Sequence, residues 1–232
     1  MRLLLFDVDG TLLLKANGEH REALCEAIRA TWHVGGAEDV PVDCAGRTDL
    51  DIARDILVNL GVDARRIDDG LADFREAATE VYSRRCPDDL TDHVAPGMDD
   101  ALRDLRARGD AILALCTGNL EPIARLKLER AGLGAFFERG DGAFGSDHED
   151  RAVLPPLARK RAGHRRHLDG PWPRSATVVI GDTPRDIACA RADGIHVVAI
   201  ATGPFGPDQL RDADVVVEHA SELPAALAAF RT

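Results

Sequence analysis

Short runs of apolar residues alternate along most of the chain with segments in which apolar residues recur every three or four positions. The runs are typical of strands buried on both faces of a parallel sheet, and the segments are typical of amphipathic helices. The runs lie at residues 3–6, 111–116, 176–180, 197–200 and 214–217. The alternation predicts an α/β fold with a Rossmann-like parallel sheet and crossover helices on both faces.

One long segment departs from this alternation. From about residue 17 to residue 92, apolar residues recur at helical spacing, and the segment contains no strand-like run. The pattern therefore predicts an all-helical insertion over residues 15–94. We expect a core domain formed by residues 1–14 and 95–232, with the inserted helices as a separate bundle that acts as a cap.

Composition and charge exclude several classes of protein. The formal net charge of -11 argues against a general nucleic-acid or membrane-surface partner, because both attract basic surfaces. No apolar stretch approaches the roughly 20 residues that span a bilayer, and the first residues lack the pattern of a signal peptide. The five cysteines are scattered without a C-x-x-C pair, which favours free thiols. We expect a cytoplasmic protein.

The candidate chemistry begins directly after the first apolar run, with the sequence Asp7-Val8-Asp9-Gly10-Thr11. Residues two apart in an extended segment point to the same side, so both carboxylates are expected to face one pocket at the strand end. Two close acids repel each other unless a cation lies between them or one holds a proton. An acidic turn on the surface is the alternative interpretation.

Two later strand ends supply further candidates. Thr117, Gly118 and Asn119 offer a hydroxyl and backbone N–H groups that suit a phosphate oxygen, although the same residues are also typical of an ordinary turn. Asp182 and Asp186 follow the strand at 176–180. Asp182 is a candidate metal ligand, whereas Asp186 also fits the first turn of a helix. Because ligands bind beyond the carboxyl ends of parallel strands, these groups are expected to converge.

Together these three motifs resemble motifs I, II and IV of the haloacid dehalogenase-like superfamily of hydrolases, and the helical insertion resembles its C1-type cap. The nearest group is similar to phosphoglycolate phosphatases and β-phosphoglucomutases. The resemblance implies that Asp7 attacks phosphorus, that Asp9 is the general acid and base, and that Mg²⁺ is bound by Asp7, the Asp9 carbonyl and Asp182 with support from Asp186. Thr117, Gly118 and Asn119 would then bind the phosphate.

The chain departs from the superfamily at motif III, where a lysine is usual. Arg151 occupies that position and is favoured over Lys160, which lies further into the following helix. Arginine binds phosphate as a bidentate fork but does not tune its pKa as lysine does. Lys127 lies in the helix after motif II, where a solvated position is expected.

The resemblance implies a phosphatase that acts on a small phosphorylated metabolite. A phosphosugar mutase of the β-phosphoglucomutase type is an alternative, and a non-catalytic binding module with the same fold is a third hypothesis. Arg47, in the sequence Gly46-Arg47-Thr48, resembles the cap loop that faces the active site in relatives. It is a candidate for binding a remote anionic group of the substrate, with a solvated arginine as the alternative.

Overall fold

A six-stranded sheet forms the centre of the computed structural model, which describes residues 1–16 and 18–230. Neighbouring strands are parallel throughout, in the order β3-β2-β1-β4-β5-β6. The strands are β1 (Arg2–Phe6), β2 (Ala111–Thr117), β3 (Ala143–Phe144), β4 (Thr177–Gly181), β5 (His196–Ile200) and β6 (Val215–Val217). The apolar runs predicted all of these except β3, which is too short to show a periodic pattern.

Helices cover both faces of the sheet. They are α4 (Met98–Arg108), α5 (Glu121–Arg130), α6 (Leu154–Arg165), α7 (Pro184–Asp193) and α8 (Leu223–Ala228). Alternate residues of β1 enter two different cores. Leu4 and Phe6 pack with apolar residues of α4, α5 and α8, whereas Leu3 and Leu5 pack with those of α6 and α7. Because both faces of β1 are buried, its sequence is continuously apolar, and the predicted fold class is confirmed.

The described part of the insertion between β1 and α4 contains three α-helices, namely α1 (Gly18–Trp32), α2 (Asp49–Asn59) and α3 (Ala64–Arg85). The prediction that this segment is helical throughout is wrong for residues 40–48, which form an irregular loop. Pro41 interrupts the helical pattern there, and Gly46 adopts a φ of +67°, which lies in the left-handed region that favours glycine. No helix in the described residues is long and apolar enough to cross a membrane.

The two ends of the insertion lie side by side. Leu13 and Val94 form an antiparallel bridge, and the N–H of Leu14 donates to the carbonyl of His93 over 2.7 Å. The chain therefore leaves and re-enters the core at one narrow neck. On this account we propose the cap limits at residues 15 and 94.

Candidate active site

The candidate residues lie at the carboxyl ends of three adjacent strands. β1 lies between β2 and β4, so Asp7 follows the middle strand, Thr117 ends one neighbour and Asp182 follows the other. The chain order of the strands reverses at β1, which is the position where open parallel sheets bind ligands. The topology thus brings the three sequence motifs to one edge of the sheet.

Three buried carboxylates form a cluster at this edge. Each of Asp7, Asp182 and Asp186 has an oxygen within 4.8 Å of an oxygen of the other two. Gly10 has a φ of +85°, and a Cβ there would overlap Asp182 Oδ2, so the turn after β1 requires glycine to make room for the carboxylate. The hydroxyl of Thr11 donates to Asp182 Oδ1 over 3.1 Å. The glycine and threonine of the first motif therefore position the aspartate of the third.

The cluster carries more negative charge than its surroundings balance. Burial, together with the charges of Asp186 and Asp7, raises the pKa of Asp182 to about 8. Burial also raises the pKa of Asp7 to about 6, although the guanidinium of Arg151 opposes the rise. Carboxylate oxygens are the ligands that Mg²⁺ prefers, and a divalent cation would relieve the repulsion among them. The donor set and its charge therefore fit Mg²⁺.

Asp186 has a structural role as well as a place in the cluster. Its Oδ2 accepts hydrogen bonds from the N–H and the hydroxyl of Thr183, at 3.0 and 2.7 Å, in a capping box that begins α7. Its Oδ1 accepts from Arg151 Nη2 at 2.5 Å. The sequence left two interpretations of Asp186 open, namely a residue of the helix start and a member of the acidic site. In the structure the same side chain occupies both positions.

Arg151 is buried against the cluster. Its Nη2 lies 3.2 Å from Asp7 Oδ1 in addition to its bond with Asp186, while its Nε has no hydrogen-bond partner among the described residues. Lys160 is exposed on α6. Of the two residues considered for the missing motif III lysine, the structure brings Arg151 to the carboxylates and leaves Lys160 in solvent.

Asp9 lies in a different environment from Asp7. Both of its carboxylate oxygens accept from Lys127 Nζ, at 2.8 and 2.7 Å, and Oδ2 also accepts from Asn119 Nδ2 at 2.9 Å. Burial alone would raise the pKa of Asp9, but the charge of Lys127 and these hydrogen bonds hold that pKa below its usual value. Asp9 is therefore ionised in the structure.

The prediction that Lys127 is solvated is wrong. The side chain is 0% exposed and reaches from α5 to Asp9. The sequence did contain a signal for this position, because Lys127 shares the apolar stripe of α5 with Ile123, Ala124 and Leu128, all of which are buried. A lysine within such a stripe indicates a buried charge that needs a partner.

The cap contributes two further buried polar groups that the sequence did not identify. His20 on α1 has Nδ1 3.1 Å from Lys127 Nζ and Nε2 3.1 Å from Asp49 Oδ2. The same oxygen of Asp49, on α2, accepts from the backbone N–H of Leu120 in the core over 2.7 Å. A continuous polar network thus runs from Asp9 through Lys127 into the cap and back to the core.

The loop after β2 is packed tightly beneath the cap. Thr117 is buried, and its hydroxyl oxygen accepts from the N–H of Asn119 at 3.4 Å. The carbonyl of Gly118 accepts from the N–H of Asp49 at 2.8 Å, and a Cβ on Gly118 would overlap the carbonyl oxygen of Arg47. Glycine is therefore needed here for close contact between loop and cap. Asn119 Oδ1 is buried without a partner among the described residues.

Arg47 is held within the cap. Its Nε lies 2.6 Å from Asp51 Oδ2, and its Nη1 lies 2.6 Å from Asp55 Oδ2. The side chain borders the cavity above the carboxylate cluster, but two acids already balance its charge. It is neither a solvated arginine nor a cation without a partner.

Comparisons with known proteins agree with this architecture. One curated relative is phosphoglycolate phosphatase from Synechococcus elongatus, 32% identical over 108 residues that cover 47% of this chain and 46% of the relative. The match thus spans about half the length of that relative. A hydrolase from Pseudomonas syringae superposes with a TM-score of 0.64 at 19% identity, covering 100% of both chains. β-Phosphoglucomutase from Clostridium difficile gives a TM-score of 0.64 at 12% identity, covering 99% of this chain and 97% of its own.

The two structural likenesses establish the fold, since both identities are low. The family is established by the sequence itself, because the haloacid dehalogenase-like hydrolase family model matches residues 4–191, a range that includes all three sequence motifs and the insertion. The chain belongs to the haloacid dehalogenase-like hydrolases.

Proposed function

We propose that this protein is a Mg²⁺-dependent phosphatase that hydrolyses a small phosphate monoester through an aspartyl-phosphate on Asp7. The observation that carries the proposal is the contrast between two carboxylates at one strand end. Asp7 lies in an acidic cluster suited to a cation, whereas Asp9 is paired with Lys127. Two acids with opposite environments are suited to two different roles.

In the first step, an oxygen of Asp7 forms a bond to phosphorus as the bond to the leaving oxygen breaks. Such covalent catalysis divides one difficult displacement into two easier ones. Asp9 donates a proton to the leaving oxygen. Since Lys127 keeps Asp9 ionised in the free protein, this role requires proton uptake before or during substrate binding.

In the second step, Asp9 removes a proton from a water molecule that attacks phosphorus, which releases phosphate and restores Asp7. The ionised state of Asp9 in the structure suits this role directly. Mg²⁺, held by Asp7, Asp182 and the Asp9 carbonyl with support from Asp186, would neutralise charge on the transferred phosphoryl group.

The proposed phosphate contacts are Thr117, Gly118, Asn119 and Arg151. Two of them have buried polar atoms without a partner among the described residues, namely Arg151 Nε and Asn119 Oδ1. An N–H such as that of Arg151 is a suitable donor to a phosphate oxygen. Asn119 instead has its amide on Asp9, so we assign its side chain to positioning that carboxylate.

The test is the Asp7→Asn variant, assayed for phosphate release from p-nitrophenyl phosphate with Mg²⁺. We expect a loss of at least about 1,000-fold, because an amide cannot form the covalent intermediate. Chelation of the metal with EDTA should abolish wild-type activity, and added Mg²⁺ should restore it. Hydrolysis by Asp7→Asn within about tenfold of wild type would rule out Asp7 as the nucleophile.

A further inference from the structure

The cavity above the carboxylate cluster extends well into the cap. Its volume is about 1030 Å³, and its lining includes Asp7 and Asp182 in the core and residues of α1 in the cap. This volume reaches the upper end of what small-molecule sites provide. A phosphate group bound at Asp7 would leave most of the space to the rest of the substrate, and α1 borders that space.

The positive charges that line this cavity fall into two groups. Most are balanced by a carboxylate within 4 Å: Arg29 by Glu38, Arg47 by Asp51 and Asp55, Arg85 by Glu22 and Glu26, and Arg151 by Asp7 and Asp186. Lys15 and Arg21 line the same cavity but form no ion pair with any described residue. Lys15 is exposed, whereas Arg21 is half-buried, so the unbalanced charge of Arg21 is the more costly.

The guanidinium of Arg21 is held by neutral groups only. Its Nη2 donates to the carbonyl of Val40 over 3.0 Å, and its Nη1 donates to Cys44 Sγ over 3.4 Å. Burial raises the pKa of Cys44, so its thiol brings no negative charge. These two contacts fix the position of the guanidinium and use only part of its five N–H donors. The remaining donors and the whole charge are available to a ligand.

We propose that Arg21 binds a carboxylate at the far end of the substrate, so that the substrate is a phosphate monoester with a second anionic group. This inference rests on the proposed function and adds a specificity residue to it. A carboxylate matches the planar fork of arginine. Since Glu22 and Glu38 are paired with Arg85 and Arg29, the guanidinium of Arg21 offers one positive charge, which one carboxylate balances, whereas a second phosphate group would bring about two negative charges.

The experiment compares phosphoglycolate with 2-hydroxyethyl phosphate, which has a neutral hydroxyl in place of the carboxylate. Each is used as a competitor of p-nitrophenyl phosphate hydrolysis, so that binding is measured whether or not the competitor is turned over. We expect the wild type to bind phosphoglycolate at least about tenfold more tightly, as one charge-assisted hydrogen-bonded pair provides. Arg21→Gln should lose this preference and leave the inhibition by 2-hydroxyethyl phosphate unchanged within about twofold.

Two variants serve as controls. Arg21→Lys keeps the charge and should retain part of the preference for phosphoglycolate. Arg29→Gln removes another cavity-lining arginine of α1, whose charge Glu38 already balances, and should retain the full preference. Equal binding of both competitors by the wild type, or equal weakening of both in Arg21→Gln, would refute the carboxylate site and leave the phosphatase proposal intact. Absence of Mg²⁺-dependent hydrolysis of p-nitrophenyl phosphate would refute both.

Discussion

The carboxylate cluster around Asp7 and the polar network around Asp9 lie at the end of the same strand, and each buries a carboxylate. The two environments shift the pKa of that carboxylate in opposite directions. In the cluster, three buried acids share one arginine, and the pKa values of Asp7 and Asp182 rise because burial and mutual repulsion favour the neutral acids. In the network, Lys127 from α5 supplies a cation, and the pKa of Asp9 falls.

This contrast separates a charge that the fold itself provides from one that must come from solution. A lysine built into the chain is present whether or not the substrate is bound, so Asp9 stays ionised. In the cluster, Arg151 balances only part of the negative charge, and under the proposed function bound Mg²⁺ balances the rest, so we expect the stability of the cluster to depend on pH and on metal. Three substitutions distinguish these two arrangements, and their expected effects differ in size.

The largest effect is expected for Asp182→Asn, which removes one acid from the cluster. We expect activity to fall by at least about 100-fold, because a proposed metal ligand is lost. We also expect the metal-free variant to be more stable than the metal-free wild type above about pH 8, by roughly 1–2 kcal/mol or about 4 °C in Tm. An acid whose pKa is raised by folding stabilises the fold while protonated. That contribution is fully present below the usual value of 3.8 and is lost as the pH rises through the folded value of about 8.

The measurement is thermal unfolding at pH 5 and above pH 8, with EDTA and with Mg²⁺. Mg²⁺ should raise the Tm of the wild type and have little effect on Asp182→Asn. Asp100→Asn, an exposed position in α4, is the matched control and should respond to Mg²⁺ like the wild type. A metal-free Asp182→Asn protein that is less stable than wild type above pH 8 would show that repulsion among the acids does not govern the stability of the cluster.

A smaller effect is expected for Lys127→Met, which removes the cation from the network. Burial then acts on Asp9 with the main opposing charge removed and only weaker opposition from His20 and Asn119, so the pKa of Asp9 should rise and its carboxylate should be protonated at higher pH. With p-nitrophenyl phosphate the leaving group needs no proton, so the base role proposed for Asp9 should dominate. We expect the acid limb of the kcat profile to move up by about one pH unit or more. The exposed Lys160→Met should leave the profile unchanged, and an unshifted limb in Lys127→Met would contradict the assigned role.

Lys127 was mispredicted from the sequence, whereas most of the sheet and the convergence of the strand ends were predicted correctly. The apolar runs predicted five of six strands, and the residues after β1, β2 and β4 predicted where Asp7, Thr117 and Asp182 converge, because parallel strands fix that geometry. The resemblance at motif III favoured Arg151 over Lys160, and Arg151 lies beside Asp7 and Asp186, although its proposed contact with phosphate stays a prediction. The predictions of the strands and of the convergence share one basis, since both depend on local pattern and on the direction of the strands.

The contacts that the sequence did not reveal depend on how the cap is placed over the core. His20 and Asp49 are ordinary polar residues within amphipathic helices, and only the packing of α1 and α2 on the core brings them to Lys127 and to the N–H of Leu120. The ion pairs of Arg47 are local by contrast, and they depend on the side-chain directions of Asp51 and Asp55 in the adjoining helix α2. Long-range contacts between two parts of a chain leave no periodic signal, so pattern analysis does not detect them.

The smallest effect is expected for His20→Leu, which removes one of the two cap side chains in the network and leaves Asp49 bonded to the N–H of Leu120. Because Lys127 would keep its bond to Asp9, we expect kcat to fall by about threefold to tenfold. The exposed His164→Leu in α6 is the control and should have no effect.

A double-mutant cycle tests whether His20 acts through Lys127. If it does, adding His20→Leu to Lys127→Met should reduce kcat by less than about twofold more, because the effects of substitutions within one network are not additive. Full additivity in this double-mutant cycle would mean that the cap histidine acts on the substrate or on cap closure independently of Lys127. Non-additivity would place the cap and Asp9 in one energetic unit, in contrast to the carboxylate cluster, for which we propose a cation from outside the chain.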